Sequence, residues 1–124
     1  MVADDATDAA QHGVGDMDGA AFRRHGRAVI DWIADYLDTV GELPVLSDVA
    51  PGAIAAKLPP EPPDAPESFE AALDDLDRVI LPGITHWNHP AFHAYFSITG
   101  SGPGIHAEAL IAALNVNEML WRTS

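Results

Sequence analysis

The chain has no cysteine, so it can build neither a disulfide nor a thiolate metal site. That composition fits a reducing compartment. Basic residues are also scarce, with 6 Lys and Arg against 19 Asp and Glu and a formal net charge of −13. Nucleic-acid binding needs clustered cations along the phosphate backbone, and an anionic membrane surface needs the same, so both partners are disfavoured. No run approaches the roughly 18 apolar residues that a membrane-spanning helix requires. The N-terminal stretch MVADDATDAAQHGVGDM lacks a basic segment followed by an apolar one, and so does not read as a signal peptide. These absences together point to the cytoplasm.

What is present suits one ordinary domain: 124 residues, 48% of them hydrophobic. Residues 1–17 are small and acidic and read as a disordered tail. From Asp18, a plausible N-cap, Phe22, Val29, Ile33, Tyr36, Leu37 and Val40 recur at helical spacing until Gly41 stops the pattern. Gly26 weakens that helix by about 1 kcal/mol relative to Ala, which implies that another backbone comes close to it.

A connection follows in which seven prolines, five of them between Pro59 and Pro66, exclude a long helix or a central strand. It should run extended and polyproline-like, laid on a surface by Val45, Leu46, Val49, Ile54 and Leu58. Ser68 then caps a second helix with a stripe of Phe69, Leu73, Leu76 and Ile80, and Asp74, Asp75 and Asp77 on the wet side. The tripeptide LPG at Leu81–Gly83 ends it. A third helix should begin near Pro103 and, being apolar over most of its circumference, should be buried. The mainly α pattern leaves apolar faces that these residues do not cover, as expected of an incomplete piece.

Candidate chemistry concentrates in HWNHPAFHAYFSITGSGPG, residues 86–104, where three histidines and four aromatic rings crowd into eleven residues. His86, His89, His93 and His106 invite a metal reading, but Pro90 interrupts the helical spacing and no carboxylate completes the set. Ser97 and Ser101 lack the surroundings of an activated nucleophile. The glycine-rich bend could present N–H groups to an anion, although a tight turn into a helix is the commoner use of such a bend. The rings are the best candidates. Strand-like alternation would put Phe92, Ala94 and Phe96 on one side and His93 and Tyr95 on the other, so that one face packs and the other lines a cavity for a planar ligand. Plain packing and a pocket wall both remain open on the residues alone.

The order of FRRHGRAVIDWIADYLDTV, then VLSDVAPG through PGITHWNHPAFHAYF, then LWRTS resembles the N-terminal segment of the pyridoxal-phosphate-dependent group II amino-acid decarboxylases, the aromatic-L-amino-acid decarboxylase family. The resemblance spans Phe22 to Ser124. It implies a fold-type I, aspartate-aminotransferase-like enzyme that forms a homodimer. Residues 18–83 would be its helical dimerisation flap, and residues 84–124 a substrate-wall segment plus the first buried helix of the large domain. The reaction it implies is loss of CO2 from an L-amino acid, an aromatic one in the commonest case.

The family pattern places Trp87, Tyr95 and Phe96 on the substrate side and Met119 near a neighbouring subunit's pocket. Where the family commonly has a substrate-contacting Thr, this chain has Ile98, with Thr99 one place late. The cofactor lysine of the family lies downstream, and Lys57, the only lysine here, sits in the proline-rich connection. The chain alone should therefore be inactive. An aldehyde-forming relative is a second possibility within the class, and a stand-alone acidic helical binding module is the rival outside it.

Overall fold

The computed structural model describes residues 17–95 and 100–116. The expected tail therefore lies outside the described residues except for Met17, which is irregular. The chain divides into two compact units, Met1–Phe92 and His93–Ser124. The described residues form helices, turns and irregular connections, with no strand among them.

The first unit is built on helix α1, Gly19–Thr39. Asp18 caps it as its position suggested: one carboxylate oxygen accepts from the Ala20 and Ala21 N–H groups, each at 2.7 Å. Such a cap contributes about 1 kcal/mol. The helix does not stop at Gly41; it tightens into a 3-10 turn, Val40–Glu42, that contains this glycine.

The inward face of α1 runs through Ala21, His25, Val29, Trp32, Tyr36 and Val40, with Ala21 at 2% exposure and Val40 at 5%. Phe22 falls outside it. Ala21 takes the innermost place, and one residue further along a helix points about 100° away, so Phe22 is 65% exposed. Gly26 also departs from expectation, because a Cβ added there would meet nothing within 4 Å. No backbone among the described residues explains this glycine.

Helix α2, Phe69–Asp75, is capped by the Ser68 hydroxyl, which accepts from the Ala71 N–H at 3.2 Å. It ends in stages. A π turn, Leu76–Ile80, closes with a bond from the Leu81 N–H to the Leu76 carbonyl, and a 3-10 turn, Leu81–Gly83, follows. Phe69, Leu73, Leu76 and Ile80 are half-buried as the stripe required, and Val79, three residues past Leu76, is the most enclosed at 8% exposure. Asp77 is exposed, but it is not merely solvated: its carboxylate accepts the Trp32 indole N–H at 2.8 Å.

α1 meets α2 where the His25 ring lies on the Phe69 ring, centroids 4.5 Å apart. The Glu70 carboxylate sits 3.5 Å from His25 Nδ1 without forming a hydrogen bond to it.

The proline-rich connection is tied down near its start. His86 N–H donates to the Val45 carbonyl at 2.9 Å, and the Ser47 hydroxyl donates to the Pro82 carbonyl at 2.9 Å. Ile54 presses on Gly83 so closely that a Cβ there would lie 2.6 Å from it, which is why only glycine fits. Val45, Val49 and Ile54 are half-buried, whereas Leu46 and Leu58 stay exposed. A short 3-10 turn, Ala55–Lys57, interrupts the extended run.

The second unit contains helix α3, Gly102–Leu114. Its start agrees with the sequence: Ser101 caps it, accepting from the Gly104 N–H at 3.1 Å, and Pro103 lies in the first turn. Asn115, in the left-handed region at φ 47°, closes it. The expected burial is not found. Leu110, Ile111 and Leu114 are 67%, 55% and 70% exposed, because a helix apolar on every side needs neighbours all round it.

Candidate functional site

In the first unit, residues 86–92 form a loop that is held rigidly without belonging to a helix or a strand. Two successive turns set its course, with His89 N–H donating to the His86 carbonyl at 3.0 Å and Phe92 N–H to the His89 carbonyl at 2.9 Å. The side chains then fasten it to the C-terminal half of α1.

His86 is 3% exposed, and its Nδ1 shares a hydrogen bond of 3.0 Å with the Tyr36 hydroxyl. Burial pushes the Tyr36 phenol above its ordinary pKa, so the ring stays neutral and hydrogen-bonding at physiological pH. Tyr36 stacks on Trp32 one helical turn earlier, with centroids 5.5 Å apart and planes within 5°. Trp32 in turn is fixed by Asp77.

The second histidine has a definite tautomer. His89 Nδ1 accepts from the Ala91 N–H at 2.9 Å, so the proton sits on Nε2, which lies 3.2 Å from the Gly41 carbonyl and donates to it. Both nitrogens are committed to backbone groups, which leaves this imidazole no lone pair for a metal. Among the described residues no group of three His, Asp or Glu side chains gathers as a cation site.

Of the ring wall expected from the sequence, Trp87 and Phe92 come together, with centroids 5.0 Å apart and planes tilted by 30°. Trp87 remains 46% exposed, presenting part of its indole outward. Tyr95 belongs to the second unit, where it is 85% exposed at φ 58°. A bulky residue in the left-handed region cannot continue an extended strand, so the expected alternation does not carry through Tyr95. The other candidate residues, Phe96, Ile98, Thr99 and Met119, lie outside the described residues.

Sequence reasoning missed the supports of this loop. Tyr36 reads as part of the stripe of an ordinary amphipathic helix, Trp32 is not singled out, and His86 reads as one histidine among three. Their i, i+4 spacing shows that the two rings share a face, but the pairing of Tyr36 with a residue fifty positions on has no local signal. A cavity of about 210 Å³ lies against the same stack, lined by Trp32, Tyr36, Leu43 and Leu81 together with the carboxyl-bearing Asp35 and Asp77. An acid-lined hollow of this kind repels the carboxylate of any anionic ligand.

The family model of the pyridoxal-dependent decarboxylase conserved domain matches residues 51–124. The aromatic-L-amino-acid decarboxylase of Rattus norvegicus is 41% identical over 108 residues, covering 87% of this chain and 22% of the relative. The phenylacetaldehyde synthase of Arabidopsis thaliana is 43% identical over 108 residues, with the same two shares. Among solved structures, Oryza sativa TDC with PLP and tryptamine superimposes with a TM-score of 0.82 at 31% identity, covering 86% of this chain and 22% of that one. The chain thus spans about a fifth of the length of the relatives it matches.

Proposed function

The chain belongs to the pyridoxal-dependent decarboxylase family, and from that premise we propose that it is the N-terminal part of an enzyme that removes CO2 from an aromatic L-amino acid. The observation that carries the reading is identity of about 40% to aromatic-L-amino-acid decarboxylases along most of the chain. Within it, residues 18–83 act as a helical flap and residues 84–124 as the start of a fold-type I large domain. The apolar surfaces left open on α3 favour a homodimer, in which a second copy and the rest of the polypeptide cover them. A stand-alone binding module is the weaker reading, since it gives no reason for the family match.

When bound, pyridoxal phosphate supplies the electron sink that makes loss of CO2 feasible. The described residues do not fit a cofactor cradle. Lys57, the only lysine of the chain, is exposed at the end of a short turn in the connection. The work open to this segment is binding. Trp87 offers a flat apolar face to an aromatic side chain, and Tyr95, Phe96, Ile98, Thr99 and Met119 are the further substrate-binding residues of this reading. A face of rings stabilises the aromatic group of the substrate by stacking and by removing apolar surface from water.

A second product class has its own support, because the phenylacetaldehyde synthase of Arabidopsis is similar to this chain at 43% identity. The test is to supply the enzyme that carries this chain, loaded with pyridoxal phosphate, with L-tryptophan, L-tyrosine and L-phenylalanine, and to trap released CO2. We expect CO2 from at least one of the three, with the amine as organic product; an aldehyde in its place selects the second class. No CO2 from any of them overturns the proposal.

A further inference from the structure

We propose that His86, gripped by Tyr36, is a positioning residue that sets the attitude of the Trp87 indole. The inference rests on the reading of Trp87 as part of a substrate wall and goes beyond it by naming what holds the wall in place. His86 and Trp87 are neighbours with opposite environments, 3% and 46% exposed. The peptide plane between them is rigid, so holding His86 restrains the point from which the Trp87 side chain projects.

Four contacts do the fixing. His86 N–H is bonded to the Val45 carbonyl at 2.9 Å, and the imidazole Nδ1 to the Tyr36 hydroxyl at 3.0 Å. On the far side of Trp87, His89 Nε2 bonds the Gly41 carbonyl at 3.2 Å, and the Phe92 ring rests against the indole. Tyr36 cannot swing away, because it stacks on a Trp32 that is itself tied to Asp77 at 2.8 Å. A line of contacts therefore runs from the π turn through α1 to the exposed ring, all within one unit. Functional sites need side chains whose own geometry is locked by a supporting shell, and this arrangement is such a shell.

The experiment uses the pyridoxal-phosphate-loaded enzyme that carries this chain, labelled with 5-fluorotryptophan, the Trp87 resonance being assigned by its loss in Trp87→Phe. Tyr36→Phe removes only the hydroxyl, His86→Leu keeps bulk without polarity, and His86→Asn restores a polar atom near the Nδ1 position. The first two should shift or broaden the Trp87 resonance. They should also raise KM for the amino acid by about three- to tenfold, the size of one hydrogen bond, with kcat within about twofold. His86→Asn should recover most of both.

An unmoved Trp87 resonance in Tyr36→Phe and His86→Leu overturns the proposal, even if thermal stability falls, since that is the mark of a packing role. The wall reading is judged separately. If Trp87→Ala leaves KM unchanged while the His86 variants still move the resonance, the positioning stands and the substrate wall falls.

Discussion

Helices α1 and α3 are both rich in apolar residues, and the contrast between them explains how far this chain can fold on its own contacts. α1 gathers most of its large side chains on one face and finds partners for that face: His25 against Phe69, Trp32 bonded to Asp77, Tyr36 bonded to His86. α3 spreads Ile105, Leu110, Ile111 and Leu114 around its axis and leaves the last three more than half exposed. A one-sided helix is satisfied by one neighbour, whereas an all-round apolar helix must be enclosed. Even α1 is only half served, since the closed apolar core of the described residues comes down to Ala21, Val40 and Val79. Burial on that scale does not offset the conformational entropy of ordering so many residues.

The largest expected effect breaks the comparison outright. The isolated chain should behave as a loosely packed, dye-binding species with helical circular dichroism and no sharp calorimetric transition. A monomer in sedimentation that melts in one cooperative step would mean that the open face of α3 needs no cover.

Next in size are two truncations made in the enzyme that carries this chain. Leu110→Ala should cost about 2–5 kcal/mol if assembled protein encloses α3, and well under 1 kcal/mol if the helix stays bare. Val79→Ala, at a site already closed within the chain, should cost about 1–3 kcal/mol in either case. Denaturant unfolding of the two variants against the parent reads the difference. Leu110→Ala as the milder of the two would place α3 at a free surface.

Local features were legible in the sequence because their causes are local. The caps at Asp18, Ser68 and Ser101 follow from short polar side chains that precede apolar runs, and Pro103 marks a helix start because its missing N–H costs nothing there. The prolines exposed their segment as a connection for a similarly local reason. What failed were inferences about faces and partners. Phe22 sits one step off the inward stripe, and the Trp32–Asp77 bond turns a solvated carboxylate into a structural one. Tyr95 breaks the expected strand through a backbone dihedral that composition does not reveal. At the candidate site Trp87 could be singled out from the sequence. The grip of Tyr36 on His86 could not, since it joins residues brought together only by the fold.

The smallest effect concerns Gly26, where sequence and structure disagree most usefully. In the middle of a helix, glycine is less favourable than alanine by about 0.8–1.0 kcal/mol. A methyl group at this position meets no atom within 4 Å, so the described contacts give Gly26→Ala nothing to clash with. The substitution should then stabilise the enzyme by about 0.5–1 kcal/mol, through helix propensity and a less flexible unfolded chain. A loss of stability would carry more information than a gain. With no neighbour among the described residues to object, the obstruction would have to come from outside them, from a second copy or another part of the polypeptide lying against α1, and Gly26 would mark the line of closest approach. α1 would then share with α3 the dependence on cover that its amphipathic pattern conceals.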